Sequence, residues 1–171
     1  MRRVTREGTY LRVCSPRWDD PSDTTYSKLH GGRWNPPGEF GALYLNADIG
    51  CARANAERHV HDLFGEGISI FDLLPDVQPD LQEYAITSTR FVDAANEAGI
   101  RELALPKRFP DVTQKVCQSI ARTAYASGES GIAAKSAAHP SSEELAIFDM
   151  FVKRLAKKRR RLAFGDWYRT R

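Results

Sequence analysis

The sequence has few cysteines and no long apolar run, and each absence narrows the class of protein. Its three cysteines, Cys14, Cys51 and Cys117, are odd in number and lie far apart, in no spacing typical of a metal site. They predict reduced thiols rather than a disulfide framework. No run of about 18 uncharged apolar residues is present, as a membrane helix needs, and the opening residues MRRVTREGTY lack the apolar stretch of a signal peptide. We therefore expect a soluble, cytoplasmic protein without a membrane partner.

Several motifs of common enzymes are also missing. The chain has no Walker or Rossmann phosphate-binding loop and no G-x-S-x-G nucleophile elbow. It contains no internal repeat and no low-complexity segment. His59 and His61 are two residues apart on a predicted helix, so their side chains point away from each other, and we expect no metal there. These absences argue against a P-loop or Rossmann nucleotide-binding protein and against a serine hydrolase.

The length and the order of predicted elements indicate one mixed domain. With 171 residues, 42% of them hydrophobic, the chain can close one substantial core, so we predict a single domain over 1–171. Strands are predicted at TYLRVC, ALYLN, ISIFDLL, EYAITSTRFVD and SGIAAKSA, whereas ELAIFDMF fits a strand or a helix. A helix is predicted at ADIGCARANAERHVHDLFG, with Asp48 or Asn46 as N-cap and Gly65 at its end. The pattern favours an α+β fold, a central sheet with flanking helices.

A second helix is predicted over DVTQKVCQSIARTAYA. Pro110 and Asp111 open it, and Gly128 stops it. Residues four apart lie on one face of a helix, and the apolar residues at this spacing are Val112, Val116, Ile120 and Ala124. We expect this face to be buried.

The positive charge is concentrated at the C-terminal end. Residues 151–171 hold nine Lys or Arg and one acid, whereas residues 1–150 hold sixteen basic and 21 acidic residues. A cluster such as KRLAKKRRR, residues 153–161, can bind nucleic acid or an acidic partner. It can equally be the solvated face of a terminal helix. Both interpretations stay open.

The most specific motif is HGGRWNPPG, residues 30–38. Its glycine pair can adopt positive φ and lets the backbone approach a ligand, and its proline pair stiffens the exit. The loop therefore holds Arg33 still, and the planar fork of donors on a guanidinium fits a pyrophosphate. A structural salt bridge of Arg33 is the alternative. Trp34 either stacks on a bound ring or anchors the loop in the core.

The helix predicted after this loop places an acid beside its apolar stripe. The stripe consists of Ile49, Ala52, Ala56, Val60 and Leu63. Glu57 follows Ala56 by about 100° around the helix, so it lies on the border of the stripe. Arg53 and His61, four residues to either side, could pair with Glu57 and make it an ordinary surface acid.

Tyr44 and Ser136 extend this group. Tyr44 lies on the short strand ALYLN between the Arg33 loop and the Glu57 helix, so these three side chains can reach one cleft. Ser136 follows GIAAK at the end of a predicted strand, where loops often hold functional residues on a rigid frame. A turn-forming serine is the alternative. Nothing in the spacing indicates a nucleophile, so we expect Ser136 to hydrogen-bond a phosphate or a ribose.

At these residues the sequence resembles a known family. The segments YLRVCSP, GGRWNPPGEFGALYLNAD, CARANAERHV and GESGIAAKSAAHPSSEELAIFD together look like the RES domain, the toxin of RES-Xre toxin–antitoxin pairs. The likeness covers residues 9–149 and leaves the basic segment 151–171 outside. It implies a fold like that of ADP-ribosyltransferases of the diphtheria-toxin kind. It also implies an enzyme that consumes NAD by hydrolysis, phosphorolysis or ADP-ribosyl transfer, without a metal.

The resemblance also implies roles for residues. The family's Arg, Tyr, Glu and Ser fall on Arg33, Tyr44, Glu57 and Ser136. Arg33 and Glu57 would be catalytic, and Arg33, Tyr44, Ser136 and Trp34 would bind the substrate. Cleaving the nicotinamide–ribose bond builds positive charge on the sugar, which a nearby carboxylate such as Glu57 would stabilise.

Partners and alternatives complete the expectations. The resemblance implies an Xre-type antitoxin with a helix-turn-helix domain, and contact with nucleic acid only through that antitoxin; whether the chain is a homodimer stays open. Within the class, the alternative is an ADP-ribosyltransferase acting on a protein. From a different class, the alternative is a non-catalytic nucleic-acid-binding module that uses residues 153–161.

Overall fold

Two long antiparallel strands form the frame of the fold. The computed structural model describes residues 1–106, 108 and 113–168. Its strands are β1 (Arg3–Cys14), β2 (Ala42–Asn46), β3 (Asp80–Ala94), β4 (Gly131–Lys135), β5 (Glu143–Phe148) and β6 (Ala156–Leu162). Its helices are α1 (Thr25–His30), α2 (Ile49–Phe64), α3 (Glu97–Glu102), α4 (Gln114–Ala126), α5 (Asp149–Leu155) and α6 (Phe164–Trp167). Strands β1 and β3 pair from Arg3 opposite Val92 to Cys14 opposite Asp80.

Within the described residues the strands form one sheet in the order β1-β2-β5-β4-β3-β6. The pairing of β3 with β4 is parallel, and the other pairings are antiparallel. Because β1 also pairs with β3, five strands close into a ring, and β6 adds to the outer edge of β3. This arrangement confirms the predicted α+β class with a central sheet and flanking helices.

Most of the predicted elements are present, some with different bounds. Strand β2 and helix α2 match the prediction in their bounds, and Asp48 caps α2 by accepting a hydrogen bond from the Cys51 backbone N–H. Of the apolar stripe predicted on α2, the three central residues are buried, whereas Ile49 and Leu63 at its two ends are exposed. Strands β1 and β3 are longer than predicted. The strand predicted at ISIFDLL is wrong, since Ile70–Asp72 is a 3₁₀ turn. Ser69 and Asp72 form a capping box there, and its reciprocal side-chain bonds favour a helical turn over an extended strand.

Helix α4 buries a different face from the one predicted. Cys117, Ala121 and Ala124 are buried, whereas Val116 is 44% exposed. The prediction was therefore right for Ala124 and wrong for Val116. The buried face consists of small side chains, which let the helix lie close to the sheet. Pro110, Asp111 and Val112 lie outside the described residues.

The basic cluster at residues 153–161 is divided between a helix and a strand, since Lys153 and Arg154 lie in the last turn of α5. Residues 156–162 form β6, with Lys157, Lys158, Arg159 and Arg160 exposed. Three of the basic side chains make ion pairs with acids of neighbouring segments: Lys158 with Asp20, Arg160 with Glu83 and Arg161 with Asp80. Much of the charge of this cluster is thus compensated within the protein.

In the part of the chain that the structure describes, the core consists of three clusters. The first cluster lies under α4 on one face of the sheet and includes Trp34, Phe40 and Phe148. The second cluster lies on the opposite face and includes Leu43, Leu45 and the α5 residues Val152 and Leu155. The third cluster lies under α2, and its buried members are Ala52, Ala56, Val60, Ile70, Leu81, Phe164 and Trp167. No helix among the described residues is long and apolar enough to cross a membrane.

Candidate functional site

The motif around Arg33 forms a tight turn. The backbone N–H of Gly32 donates to the carbonyl oxygen of Asn35 at 2.9 Å, and Asn35 N–H donates back to Gly32 at 3.4 Å. Arg33 and Trp34 occupy the two central positions of this turn. Their side chains are consequently displayed from a closed and rigid piece of backbone.

Both glycines of the Gly31–Gly32 pair are required by this geometry. Gly31 has a φ of 74°, in the left-handed region that favours glycine, and a Cβ there would lie 2.9 Å from Pro37 Cδ. A Cβ on Gly32 would lie 2.5 Å from the Tyr44 hydroxyl oxygen. Gly31 therefore shapes the backbone, and Gly32 makes room for Tyr44.

The Tyr44 hydroxyl fastens the turn to the sheet. It accepts a hydrogen bond from Trp34 N–H at 2.9 Å and donates one to Asn35 Oδ1 at 2.7 Å. The amide group of Asn35, itself fully buried, donates to the carbonyl oxygens of Ser27 and Phe40. Burial raises the pKa of Tyr44 well above its usual value, so this hydroxyl stays protonated and keeps its donor.

Arg33 lies between Tyr44 and helix α4. Burial raises the pKa of the Cys117 thiol, and a hydrogen bond with the Arg33 side chain partly opposes that rise. The charge of Arg33 also lowers the pKa of Tyr44, while that of Glu144 raises it. The two opposite charges of Arg33 and Glu144 therefore both lie near the Tyr44 hydroxyl.

Trp34 anchors the turn in the core. Only 2% of its surface is exposed, and it packs in the first cluster. Of the two interpretations of this indole, anchoring fits the structure. Stacking on a bound ring would need an open face, which the buried indole does not offer in this conformation, and a role of Trp34 in substrate binding stays a prediction.

One face of the sheet continues from Tyr44 toward Ser136. Asn46 lies two residues beyond Tyr44 on β2, so both side chains point to the same side. Asn46 pairs in register with Glu144 of β5, and Glu144 pairs with Ala134 of β4. We call the surface formed by Tyr44, Asn46, Ser136 and Glu144 the Tyr44 face.

Ser136 is fully buried and holds Glu144. Its hydroxyl donates to Glu144 Oε1 at 2.5 Å and accepts from the backbone N–H groups of Ala138 and His139 at 3.2 and 3.1 Å. All of its hydrogen-bonding capacity is used within the protein. The predicted position of Ser136 at the end of a strand is confirmed, whereas its expected direct bond to a phosphate or ribose stays a prediction.

Helix α2 contributes Asn55 to the same face. Asn55 Nδ2 donates to Glu144 Oε1 and to Asn46 Oδ1, each at 2.7 Å. Cys51, one turn earlier, is buried beside them and donates to Asn46 Oδ1 at 3.3 Å. Burial raises the pKa of the Cys51 thiol to about 11, so it is an unreactive neighbour and not a nucleophile.

Glu57 lies in a different neighbourhood. It accepts a hydrogen bond from the Tyr168 hydroxyl, near the C-terminal end of the described chain. Asn55 and Glu57 flank Ala56 on opposite sides, about 160° apart around the helix. Because Asn55 points to the Tyr44 face, Glu57 points away from it. The prediction that Arg33, Tyr44, Glu57 and Ser136 share one cleft is thus corrected for Glu57.

Sequence reasoning missed Glu144 and Asn55. A signal for Glu144 was present, since alternation along EELAIF places Glu144, Ala146 and Phe148 on one side of the strand. Nothing in the helical pattern distinguished Asn55 from Glu57, because both border the same apolar stripe. Among the described residues no group of three or more His, Cys, Asp or Glu side chains is arranged to hold a metal ion.

These features define an α+β domain with an arginine next to a tyrosine and a partly buried cluster of Ser136, Glu144 and Asn55. The family model of the RES domain matches residues 9–166. This chain therefore belongs to the RES domain family. The match extends past the predicted limit at residue 149 and includes α5 and β6, so the basic strand is part of the domain.

A solved structure has a similar fold. A chain in the crystal structure of the M. tuberculosis MbcT–MbcA toxin–antitoxin complex superimposes with a TM-score of 0.79 at 16% sequence identity. The likeness covers 94% of this chain and 85% of that one. No curated protein matches this sequence.

Proposed function

We propose that this chain is the toxin of a toxin–antitoxin pair and that it cleaves the bond between nicotinamide and ribose in NAD. Membership of the RES domain family supports the proposal, as does the likeness in fold to a chain from a toxin–antitoxin complex. The proposed partner is an antitoxin with an Xre-type helix-turn-helix domain, the kind of protein that the family resemblance implies.

The observation that supports this function best is the fixed display of Arg33 beside Tyr44. The turn that bears Arg33 is closed by its own backbone bonds and held by the Tyr44 hydroxyl. A guanidinium keeps its charge near neutral pH and binds two phosphate oxygens at once, so a rigid Arg33 suits the pyrophosphate of NAD. The Tyr44 ring, at the base of the turn, would lie against the nicotinamide or its ribose.

The chemistry requires charge stabilisation more than acid catalysis. The bond between ribose C1′ and the nicotinamide nitrogen breaks, its electron pair stays on nicotinamide, and positive charge develops on the sugar. An oxygen of water or inorganic phosphate then bonds to C1′ and loses its proton. Nicotinamide leaves as a neutral molecule without needing that proton. A carboxylate near C1′ stabilises the transition state.

The test is product analysis with the purified full chain. With NAD alone we expect nicotinamide and ADP-ribose, and with added inorganic phosphate a phosphorylated ADP-ribose reveals phosphorolysis by mass spectrometry. Arg33→Ala should reduce nicotinamide release by roughly 100-fold, because a fixed charge on the pyrophosphate is lost. Arg90→Ala, an exposed arginine of β3, is the matched control and should keep wild-type turnover.

Two results would contradict the proposal. NAD left intact by the wild-type chain would remove the proposed activity. Equal turnover by wild type and Arg33→Ala would remove the role of Arg33. ADP-ribose attached to a protein in a co-incubated lysate, with little free product, would assign the chain to protein ADP-ribosylation instead.

A further inference from the structure

We infer that Glu144 of β5, and not an acid of helix α2, is the catalytic carboxylate of this site, with Ser136 and Asn55 as its positioning residues. This inference rests on the proposed NAD cleavage and names the residue that acts on the ribose. Its basis is the hydrogen-bond arrangement on the Tyr44 face.

One oxygen of Glu144 is completely occupied by the protein. Oε1 accepts from Ser136 Oγ at 2.5 Å and from Asn55 Nδ2 at 2.7 Å, and the Cys51 thiol lies 3.9 Å away. The two donors come from separate places, the end of β4 and the middle of α2. The carboxylate therefore has a fixed direction.

The direction of the Ser136 proton is also determined. Two backbone N–H groups, those of Ala138 and His139, already donate to Ser136 Oγ. The single hydroxyl proton must then go to Glu144, which acts as an acceptor. A serine in this position has no spare group for a ligand, and its effect on substrate passes through Glu144.

The second oxygen of Glu144 is available. Among the described residues, Oε2 receives no hydrogen bond. Nor is Oε2 one of the buried polar side-chain atoms that lack a partner in that part of the chain. Oε2 is accordingly open to solvent, while Oε1 is held. A carboxylate anchored by one oxygen and open at the other is suited to accept a bond from a ribose hydroxyl.

Glu144 and Arg33 both lie near Tyr44. Burial is the main cause of the raised pKa of Tyr44, and the charge of Glu144 raises it further while that of Arg33 lowers it. Glu144 pairs with Asn46, two residues from Tyr44 and thus about 7 Å along the strand. Arg33 would bind the pyrophosphate on one side of Tyr44, and Glu144 would meet the nicotinamide ribose on the other.

Glu57 has the opposite properties. Its carboxylate is engaged by Tyr168, and it faces the flank of α2 that packs on the C-terminal segment. In the reaction, Glu144 Oε2 would accept a hydrogen bond from a ribose hydroxyl and stabilise the positive charge as the C1′–N bond breaks. Water or phosphate then supplies the new C1′–O bond, and its proton passes to solvent.

The test compares amide variants of acids at three places. Glu144→Gln should lower kcat for nicotinamide release by at least roughly 100-fold with little change in KM for NAD, because the carboxylate acts mainly in the transition state. Glu143→Gln is the matched control on the neighbouring residue, whose side chain points to the other face and binds Arg6. It should keep the wild-type kcat.

A charge exchange provides a second measurement if Glu144→Gln folds poorly. The side chains of Asn55 and Glu144 touch directly, so Asn55→Glu combined with Glu144→Asn keeps one acid and one amide at the same contact. The double variant should release nicotinamide at least roughly tenfold faster than Glu144→Asn alone. Asn55→Ala should lower kcat less than Glu144→Gln does, and a purely structural asparagine would leave kcat of the folded protein unchanged.

The outcomes separate the two proposals. If the wild type cleaves NAD, Arg33→Ala does not, and Glu144→Gln is as active as the wild type, the assignment of Glu144 is overturned and the function stands. Loss of turnover in Glu57→Gln with an active Glu144→Gln returns the role to Glu57. If the wild type leaves NAD intact, the proposed function fails and the inference about Glu144 fails with it.

Discussion

At the scale of single residues, the Tyr44 hydroxyl stabilises the turn that bears Arg33, in addition to the role proposed for its ring in binding substrate. It receives the backbone proton of Trp34 and gives its own to Asn35, so one oxygen holds two parts of the turn. Both partners are buried, and neither can turn to water when the hydroxyl is removed. The position of Arg33 therefore depends on an oxygen atom of a neighbouring strand.

We predict that Tyr44→Phe destabilises the protein by about 1–3 kcal/mol, because it leaves a buried N–H and a buried amide oxygen without partners. Urea unfolding followed by circular dichroism measures this change. Tyr26→Phe is the matched control, since Tyr26 is 70% exposed, and it should change the free energy of unfolding by less than about 0.5 kcal/mol. Equal stability of both variants would show that the Tyr44 hydroxyl bonds contribute little.

The sequence predicted which residues lie close together where those residues are near each other in the chain. Arg33 and Tyr44 meet because only a short turn separates their elements, and the motif between them is specific. Glu57 was misplaced because a helical stripe defines which side is buried but not which flank faces a given neighbour. That choice depends on Tyr168 and Glu144, which are distant in sequence and reach α2 only through tertiary packing.

At the scale of elements, strand β6 pairs with β3, and several of its basic side chains form ion pairs with nearby acids. Arg161 shows this most clearly: its guanidinium donates to Asp80 and to the carbonyl oxygens of Trp18 and Ser15. Arg159, on the same strand, is exposed and makes no side-chain bond to any residue that the structure describes. The basic segment thus contains both structural and solvated charges.

Arg161→Ala should lower the free energy of unfolding by about 1–3 kcal/mol, because two carbonyl groups and a carboxylate lose their donor. Arg159→Ala should stay within about 0.5 kcal/mol of wild type. Thermal unfolding of the two variants side by side measures the difference. If Arg159→Ala proves the more damaging change, the ion pairs of β6 are not what fixes this strand.

Element prediction failed for two identifiable reasons. The apolar letters of ISIFDLL suggest a strand, but the Ser69–Asp72 capping box bends the chain into a 3₁₀ turn. The run of basic residues in β6 suggests a helix or a tail, because β6 lacks the alternation of apolar and polar residues that is typical of a half-buried strand. This strand forms because β3 offers it an unpaired edge, and the paired residues of the two strands are about 70 to 80 positions apart in the sequence.

At the scale of the whole molecule, the C-terminal segment closes the third cluster. Trp167 is 1% exposed and donates its indole N–H to the Pro79 carbonyl oxygen at 2.9 Å. Arg53 of α2 donates to the Trp167 carbonyl oxygen, and Glu57 accepts from Tyr168. The last described residues therefore bind α2 on the side of Arg53 and Glu57, opposite the side on which Asn55 contacts the Tyr44 face.

We predict that Trp167→Ala destabilises the chain by about 3–5 kcal/mol, the usual cost of emptying a buried tryptophan site. Trp18→Ala is the matched control, because Trp18 is 42% exposed, and it should cost about 1 kcal/mol or less. Calorimetry of both variants measures the effect. Similar melting temperatures would mean that the third cluster does not need its tryptophan.

The global class was predictable and the closure of the sheet was not. Strands before, between and after helices indicate an α+β domain. The ring depends on β1 pairing with both β2 and β3, and those pairings join residues up to about 90 positions apart. Local patterns contain no information on such pairings, because loop closure and packing of the whole chain select them.

The turn from Gly32 to Asn35 has a consequence for natural and laboratory variation. Gly32 makes space for a hydroxyl, Trp34 fills the interior and Asn35 satisfies three polar groups, so each is occupied by the architecture. Arg33 is the one charged member of the turn, and its half-buried side chain is hydrogen-bonded with the Cys117 thiol. In a library of substitutions screened for folding we expect change at Arg33 to be tolerated more often than change at the other three positions, and a screen for activity would reject change at Arg33 as well.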